Sequence, residues 1–164
     1  MHSEKQFTEA YKANADAIFR HCYFRVSNRE KAKDIMHEAF TRTWEYVTKG
    51  NEIKNLRAFL YRTANNIIID TYRKKSEVSL DELHEKGFEP AVDSASQIHT
   101  AIEVKAALAA IEGLEPKYKE VVLLRYVDEF TPKEIAHIVG ENVNTVSVRI
   151  HRGITELRKR ATLE

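Results

Sequence analysis

Two carboxylates one helical turn apart raise the first question of chemistry in this chain. Asp34 and Glu38 stand at i and i+4 in DIMHEAF, with His37 beside them, so a helix there places both acids on one face. Paired acids next to a histidine suit general acid–base work or a divalent cation. The surroundings support neither. Lys31, Lys33 and Arg42 lie within a turn, no third ligand follows at useful spacing, and the chain has no nucleophile motif or phosphate-binding loop. The acids read instead as a docking surface for a basic partner, or as ion pairs along their own helix.

A second constellation combines amides with bases. Arg62, Asn65, Asn66, Ile69 and Arg73 fall at i, i+3, i+4, i+7 and i+11, lining one side of a helix that ends in Arg73, Lys74 and Lys75. Basic groups hold phosphates, amides hydrogen-bond base edges, and Tyr61 or Tyr72 can stack on an unpaired base. The same residues also make an ordinary solvated face, and the terminal charge suits the helix dipole without any ligand.

The third is Thr131 to Arg160, TPKEIAHIVGENVNTVSVRIHRGITELRKR. Thr131 and Glu134 form a capping box, with Pro132 at the first helical position, where its missing N–H costs nothing. Ile135, Ala136 and Val139 give a short apolar face, Gly140 permits a sharp turn, and Asn144 or Thr145 can cap a second helix running to about Arg160. Small Ala136 allows a close crossing, and Val146 and Ile150 anchor the second helix. An ordinary helical hairpin shares this outline, but so does a helix-turn-helix, which delivers one helix into a major groove.

The elements that must position these groups are helical. Five Gly and three Pro among 164 residues punctuate the chain sparsely, and no segment alternates apolar and polar residues as a half-buried strand does. From about Ser3 to Ser27 the stripe is Phe7, Tyr11, Asn14, Ile18, Cys22 and Val26. Asn28 can cap a second helix whose stripe is Ala32, Ile35, Met36, Ala39, Phe40, Trp44 and Val47. Lys49 to Asn55 is a loop with Gly50 closing the helix before it. A third helix from about Leu56 to Lys75 buries Leu56, Phe59, Leu60, Thr63, Ala64, Ile67, Ile68 and Tyr72. Helix resumes over Ala101–Ile111 and from Pro116 to Val127. No run approaches the roughly 20 apolar residues of a membrane span. The single Cys22 excludes an internal disulfide, reads as a small buried thiol, and fits a reducing, cytoplasmic setting.

Charge divides the chain. Residues 1–76 hold 15 Lys/Arg against 9 Asp/Glu, whereas residues 77–98 hold one Lys against six acids. Residues 116–164 return to a slight positive excess, nine bases against seven acids. Two basic helical units joined by an acidic connector, rich in Ser with Gly87 and Pro90, is the organisation this predicts.

In order, these parts resemble the extracytoplasmic-function (ECF) sigma factors of bacterial RNA polymerase. Asp34-Ile-Met-His-Glu38-Ala-Phe40 is similar to the D-hydrophobic-hydrophobic-Q-E-x-F of sigma region 2. Phe59-Leu-Tyr-Arg62-Thr-Ala64-Asn-Asn66 with Arg73-Lys-Lys resembles the W-L-x-R-I-A-x-N helix and its basic tail. Leu114-Glu-Pro116 through Arg152 resembles region 4, with E-I-A and T-V-x-x-R-[IL]-x-R.

The resemblance implies an all-α protein: region 2 over 1–76, a flexible acidic linker over 77–98, and a region 4 helix-turn-helix over 99–164. It implies an alternative sigma factor without enzyme chemistry, cofactor or metal. Such a protein binds core RNA polymerase through the beta and beta-prime subunits and promoter DNA, both duplex and melted. An anti-sigma factor holds it inactive, and it joins the cytoplasmic nucleoid when active. Asp34, His37, Glu38 and Phe40 would dock on polymerase. Lys49, Asn51, Lys54, Arg62, Asn65, Asn66, Arg73, Lys74 and Lys75 would face the melted minus-ten element, with Asn66 holding a flipped base. Asn144, Thr145, Ser147, Val148, Arg149, His151 and Arg152 would approach the minus-thirty-five element, with Arg149 and Arg152 as the strong contacts. His37 stands where the family usually has Gln, Thr63 where Ile is common, and Ser147–Val148 where a basic residue and Ser often stand. A conventional helix-turn-helix regulator would explain only the C-terminal half. A metal-dependent nucleic-acid enzyme would give Asp34 and Glu38 a different task.

Overall fold

The computed structural model describes residues 4–77 and 106–162, and every described element is helical. Helix α1 is Glu4–Val26, α2 is Arg29–Thr48 and α3 is Leu56–Glu77. A helical segment over 106–112 (α4) is followed by α5, Pro116–Val122, which continues into a π-helical turn at Leu123–Val127. Helices α6, Pro132–Val139, and α7, Val143–Thr162, complete the chain. Apart from Glu77 at the end of α3, the expected acidic connector lies outside the described residues, as does the expected helix before residue 106.

Local chemistry places the helix boundaries. Asn28 accepts from the Lys31 N–H at 3.0 Å and starts α2. Gly50, at φ +91°, takes the left-handed conformation that closes it. Asn55 accepts from the Ala58 N–H at 3.1 Å at the head of α3. Thr131 and Glu134 make both halves of the capping box, and Gly140, at φ +73°, ends α6. One expected cap moves: Asn142, rather than Asn144 or Thr145, accepts from the Thr145 N–H at 2.8 Å and opens α7.

The first unit packs α1, α2 and α3 around Ile18, Cys22, Ala32, Met36, Ala39, Phe40, Leu60, Ala64 and Ile68, all buried. Each large aliphatic side chain removed from water contributes about 1.5–3 kcal/mol, which makes this cluster the main attraction between the three helices. Phe7 tucks against Trp44, with ring centroids 4.8 Å apart, and Tyr11 against Phe40, also at 4.8 Å. In the second unit α5 crosses α7 at Gly153, where a Cβ would stand 2.6 Å from Val122 Cγ2. Ile138 joins Ile135 and Ala136 as the buried face of α6, with Val139 only half-buried.

The two units pack on each other, an arrangement the sequence left open. Helix α6 lies against α3, and the turn after the π-helical segment inserts Phe130 edge-on against Tyr61, with ring centroids 4.9 Å apart. That turn depends on Glu129 at φ +61°, a conformation costing a non-glycine residue roughly 1–2 kcal/mol. The burial of Phe130 and Asp128 on either side accompanies it.

Candidate nucleic-acid interface

Helix α2 carries Asp34, His37 and Glu38 on its exposed side. Glu38 pairs with Arg42 at 2.9 Å, but both side chains are about half exposed, so the pair contributes little and leaves the acid accessible. The His37 Nε2 lies 3.5 Å from the Tyr11 hydroxyl. Phe40 is different: at 3% exposed it faces inward against Phe7 and Tyr11, and acts here as core beneath that surface. Its aromatic neighbours line an open groove between α1 and α2 that also includes His37.

On α3 the expected strip divides. Arg62, Asn66, Arg73 and Lys74 are exposed, Lys75 is half-buried, and Arg73 pairs with Asp70 at 3.0 Å. Asn65 is 1% exposed, and its Oδ1 accepts from Arg25 Nη1 at 2.8 Å. Adjacent residues sit about 100° apart around a helix, which is enough to send one Asn outward and its neighbour into the interface. Tyr61 is wholly buried, and Tyr72 is partly buried with its hydroxyl donating to the Arg25 carbonyl, so in this arrangement neither presents a ring to a base. In the preceding loop Lys49, Asn51 and Lys54 are exposed, and Asn51 Nδ2 donates to the Tyr46 carbonyl at 3.0 Å.

Between the units lies a buried polar cluster with no local signature in the sequence. Asp128 accepts from the Tyr61 hydroxyl at 2.6 Å and stands 3.3 Å from His21 Nδ1 and 3.5 Å from Arg20. Its backbone carbonyl accepts from Arg57. Arg25 reaches Glu120 at 3.4 Å as well as Asn65. Burial dominates the electrostatics. It lowers the pKa of His21 against the opposing pull of Asp128, lowers that of Arg25, and raises those of Tyr61 and Glu120. The network joins α1 and α3 to α5 and the turn behind it, holding the helix-turn-helix against α3.

On α7, Val143, Asn144, Ser147, Val148, His151 and Arg152 are exposed and form one continuous strip. Thr145 is half-buried. Arg149 turns off this strip: its side chain is 23% exposed, pairs with Glu141 at 3.3 Å, and stands 3.9 Å from Glu120. A helix that rests on α6 through buried Val146 and shows a polar strip capped by Arg152 has the form of a groove-reading helix. Val143 was not among the expected contacts. It lies at the helix N-terminus, where groove-reading residues concentrate.

An all-helical fold with an exposed acid pair on α2, an amide-and-base strip on α3 and a helix-turn-helix defines a two-part sigma-type architecture. Residues 10–78 match the family Sigma-70 region 2, and residues 105–157 match Sigma-70, region 4. The chain is 30% identical to the ECF RNA polymerase sigma factor SigW of Bacillus subtilis, over 93% of this chain and 87% of that one. It is 27% identical to the RNA polymerase sigma factor SigV of the same organism, over 90% and 86%. Its fold is similar to that of the sigma factor RpoE from Bartonella quintana, solved in complex with the anti-sigma factor NepR. The TM-score is 0.80 at 19% identity, covering 98% and 99% of the two chains. A second neighbour is CnrH in complex with the cytosolic domain of CnrY, at TM-score 0.73 and 18% identity, covering 99% and 91%. The chain belongs to the ECF RNA polymerase sigma factors and is a transcription initiation factor rather than an enzyme. No helix among the described residues is long and apolar enough to cross a membrane.

Proposed function

We propose a division of labour along the chain, with region 2 over 1–76, a connector over 77–98 and region 4 over 99–164. Asp34, His37 and Glu38 dock on core polymerase from the exposed face of α2, over the aromatic layer that Phe40 supports. Lys49, Asn51, Lys54, Arg62, Asn66, Arg73, Lys74 and Lys75 follow the melted minus-ten strand. Asn144, Ser147, Val148, His151 and Arg152 read the minus-thirty-five duplex, with Thr145 at its edge. Arg149 reaches DNA only if it leaves its acids. The observation that carries this reading is the outward placement, in one molecule, of the α2 acids, the α3 strip and the α7 strip.

The packed arrangement adds a condition. Asn65 and Tyr61 lie under the second unit, so they become available to a promoter only when the two units separate. An anti-sigma partner that favours the packed form fits this geometry; cytoplasmic residence, with association with the nucleoid in the active state, rests on membership of the family. Binding of core polymerase to the immobilised full chain tests the first contact. Asp34→Ala with Glu38→Ala should weaken capture at least tenfold, while Lys74→Ala with Lys75→Ala leaves it within twofold. Equal capture by the double acid variant and the native chain would place polymerase docking elsewhere.

A further inference from the structure

The polar cluster between the units does not end at Glu120. Its carboxylate carries a guanidinium at each oxygen: Arg25 Nη2 stands 3.4 Å from Oε2, and Arg149 Nη1 stands 3.9 Å from Oε1. Arg149 Nη2 then reaches Oε1 of Glu141, in the turn before α7, at 3.3 Å. Four charges of alternating sign therefore run from α1 through α5 to α7. The first belongs to the N-terminal unit, and the third sits on the helix that carries the exposed polar strip.

Burial grades along this row. Arg25 and Glu120 are buried, Arg149 is partly covered and Glu141 is exposed. Burial pushes the Glu120 pKa up, and Arg25 and then Arg149 pull it back, so the charged acid depends on both cations. Arg25 reaches Glu120 from the other unit, so parting the units removes that cover and admits water to the carboxylate. Two charges about 4 Å apart attract roughly fourfold less in water than in a partly covered protein site. Packing thus tightens the hold of Glu120 on Arg149, and separation loosens it. The packed form also carries a cost that favours parting. Arg25 Nε and Asn65 Nδ2 are buried in it without a hydrogen-bond partner, a penalty that an apolar contact would not bear.

We propose that Arg25, Glu120 and Arg149 form an autoinhibitory contact: while the units are packed, Glu120 and Glu141 keep Arg149 from DNA, and separation of the units releases it. Glu120 is a positioning residue, acting on DNA only through Arg149. Its bond to Arg25 makes the docking of the N-terminal unit felt at the duplex-reading helix. Coupling of this kind is reciprocal, so duplex DNA on α7 disfavours packing by the same factor. This inference rests on the reading of α7 as the helix that contacts duplex DNA, and adds that the other unit controls one of its contacts.

The test is a double-mutant cycle on the full chain, read by fluorescence anisotropy with a labelled duplex carrying the minus-thirty-five element of a promoter it transcribes. Asp128→Ala opens the interface without removing any of the four charges, Asp128→Asn is a milder second opening, and circular dichroism shows that each variant is folded. Opening should raise duplex affinity roughly tenfold when Arg149 is present and less than twofold beside Arg149→Ala. Glu120→Gln, which frees Arg149 from a charge directly, should also raise affinity. An equal gain from opening with and without Arg149, or unchanged affinity in Glu120→Gln, would overturn the proposal. If Arg149→Ala costs nothing even in the opened chain, the reading of Arg149 as a DNA contact fails, and the proposal with it.

Discussion

Removing the Asp128 carboxylate should separate the two units without unfolding either. The side chain is fully buried, accepts from Tyr61 at 2.6 Å and faces His21 at 3.3 Å, and all these partners belong to the other unit. Arg20 is half exposed, so its share is small. The Tyr61 hydrogen bond to a charged acceptor contributes about 1.5–3 kcal/mol, and because its loss strands neutral buried groups the cost of Asp128→Ala is about 3 kcal/mol. Asp128→Asn keeps the shape and an acceptor for Tyr61 and should cost roughly half as much. A loss of about 3 kcal/mol lowers the ratio of packed to separated molecules by more than a hundredfold. Small-angle X-ray scattering reads this directly: a compact chain of 164 residues has a radius of gyration near 15 Å, and separation on a tether raises it by several ångströms. Far-ultraviolet circular dichroism should stay unchanged, since each unit keeps its own core. An unchanged scattering profile for Asp128→Ala, with an unchanged unfolding midpoint, would refute the reasoning that this cluster holds the units together.

Acid should act in the same direction. Burial holds the His21 pKa below its ordinary 6.5 in the packed form, and separation releases it, so the separated form takes the proton first. Packing is then complete above about pH 6.5 and weakens as pH falls through that value; comparing scattering at pH 7.5 and 5.5 checks the sign, and His21→Gln should flatten the response. Asn142→Ala removes the cap from α7, costs about 1 kcal/mol and should lower the thermal midpoint by roughly 2–4 °C. Cys22 is fully buried, with burial pushing its thiol pKa up to about 12, so it should resist iodoacetamide at pH 8 until the chain is unfolded.

Much of this architecture is written locally. Thr131, Glu134 and Gly140 announce both ends of α6 because capping boxes and left-handed glycines act within a few residues, and Asn28 and Gly50 do the same for α2. The start of α7 is not fixed locally, because Asn142, Asn144 and Thr145 all have capping side chains and only the backbone decides among them. What was not legible is the contact between units. His21 and Arg25 flank the apolar stripe of α1, and nothing in their neighbourhood in sequence marks them as buried. Their acids, Asp128 and Glu120, lie 107 and 95 positions away, beyond any periodicity. The same contact explains Asn65: its residue type suits base recognition, and only the position of Arg25 shows it occupied.

Run-off transcription from a randomised promoter library, with purified core RNA polymerase in the presence and absence of this protein, tests the central claim most directly. The account predicts protein-dependent transcripts whose templates share two spaced elements, with Asn66→Ala relaxing base preference in the element nearer the start site. No protein-dependent transcript, together with tight sequence-specific duplex binding by the protein alone, would contradict it and identify a conventional helix-turn-helix regulator.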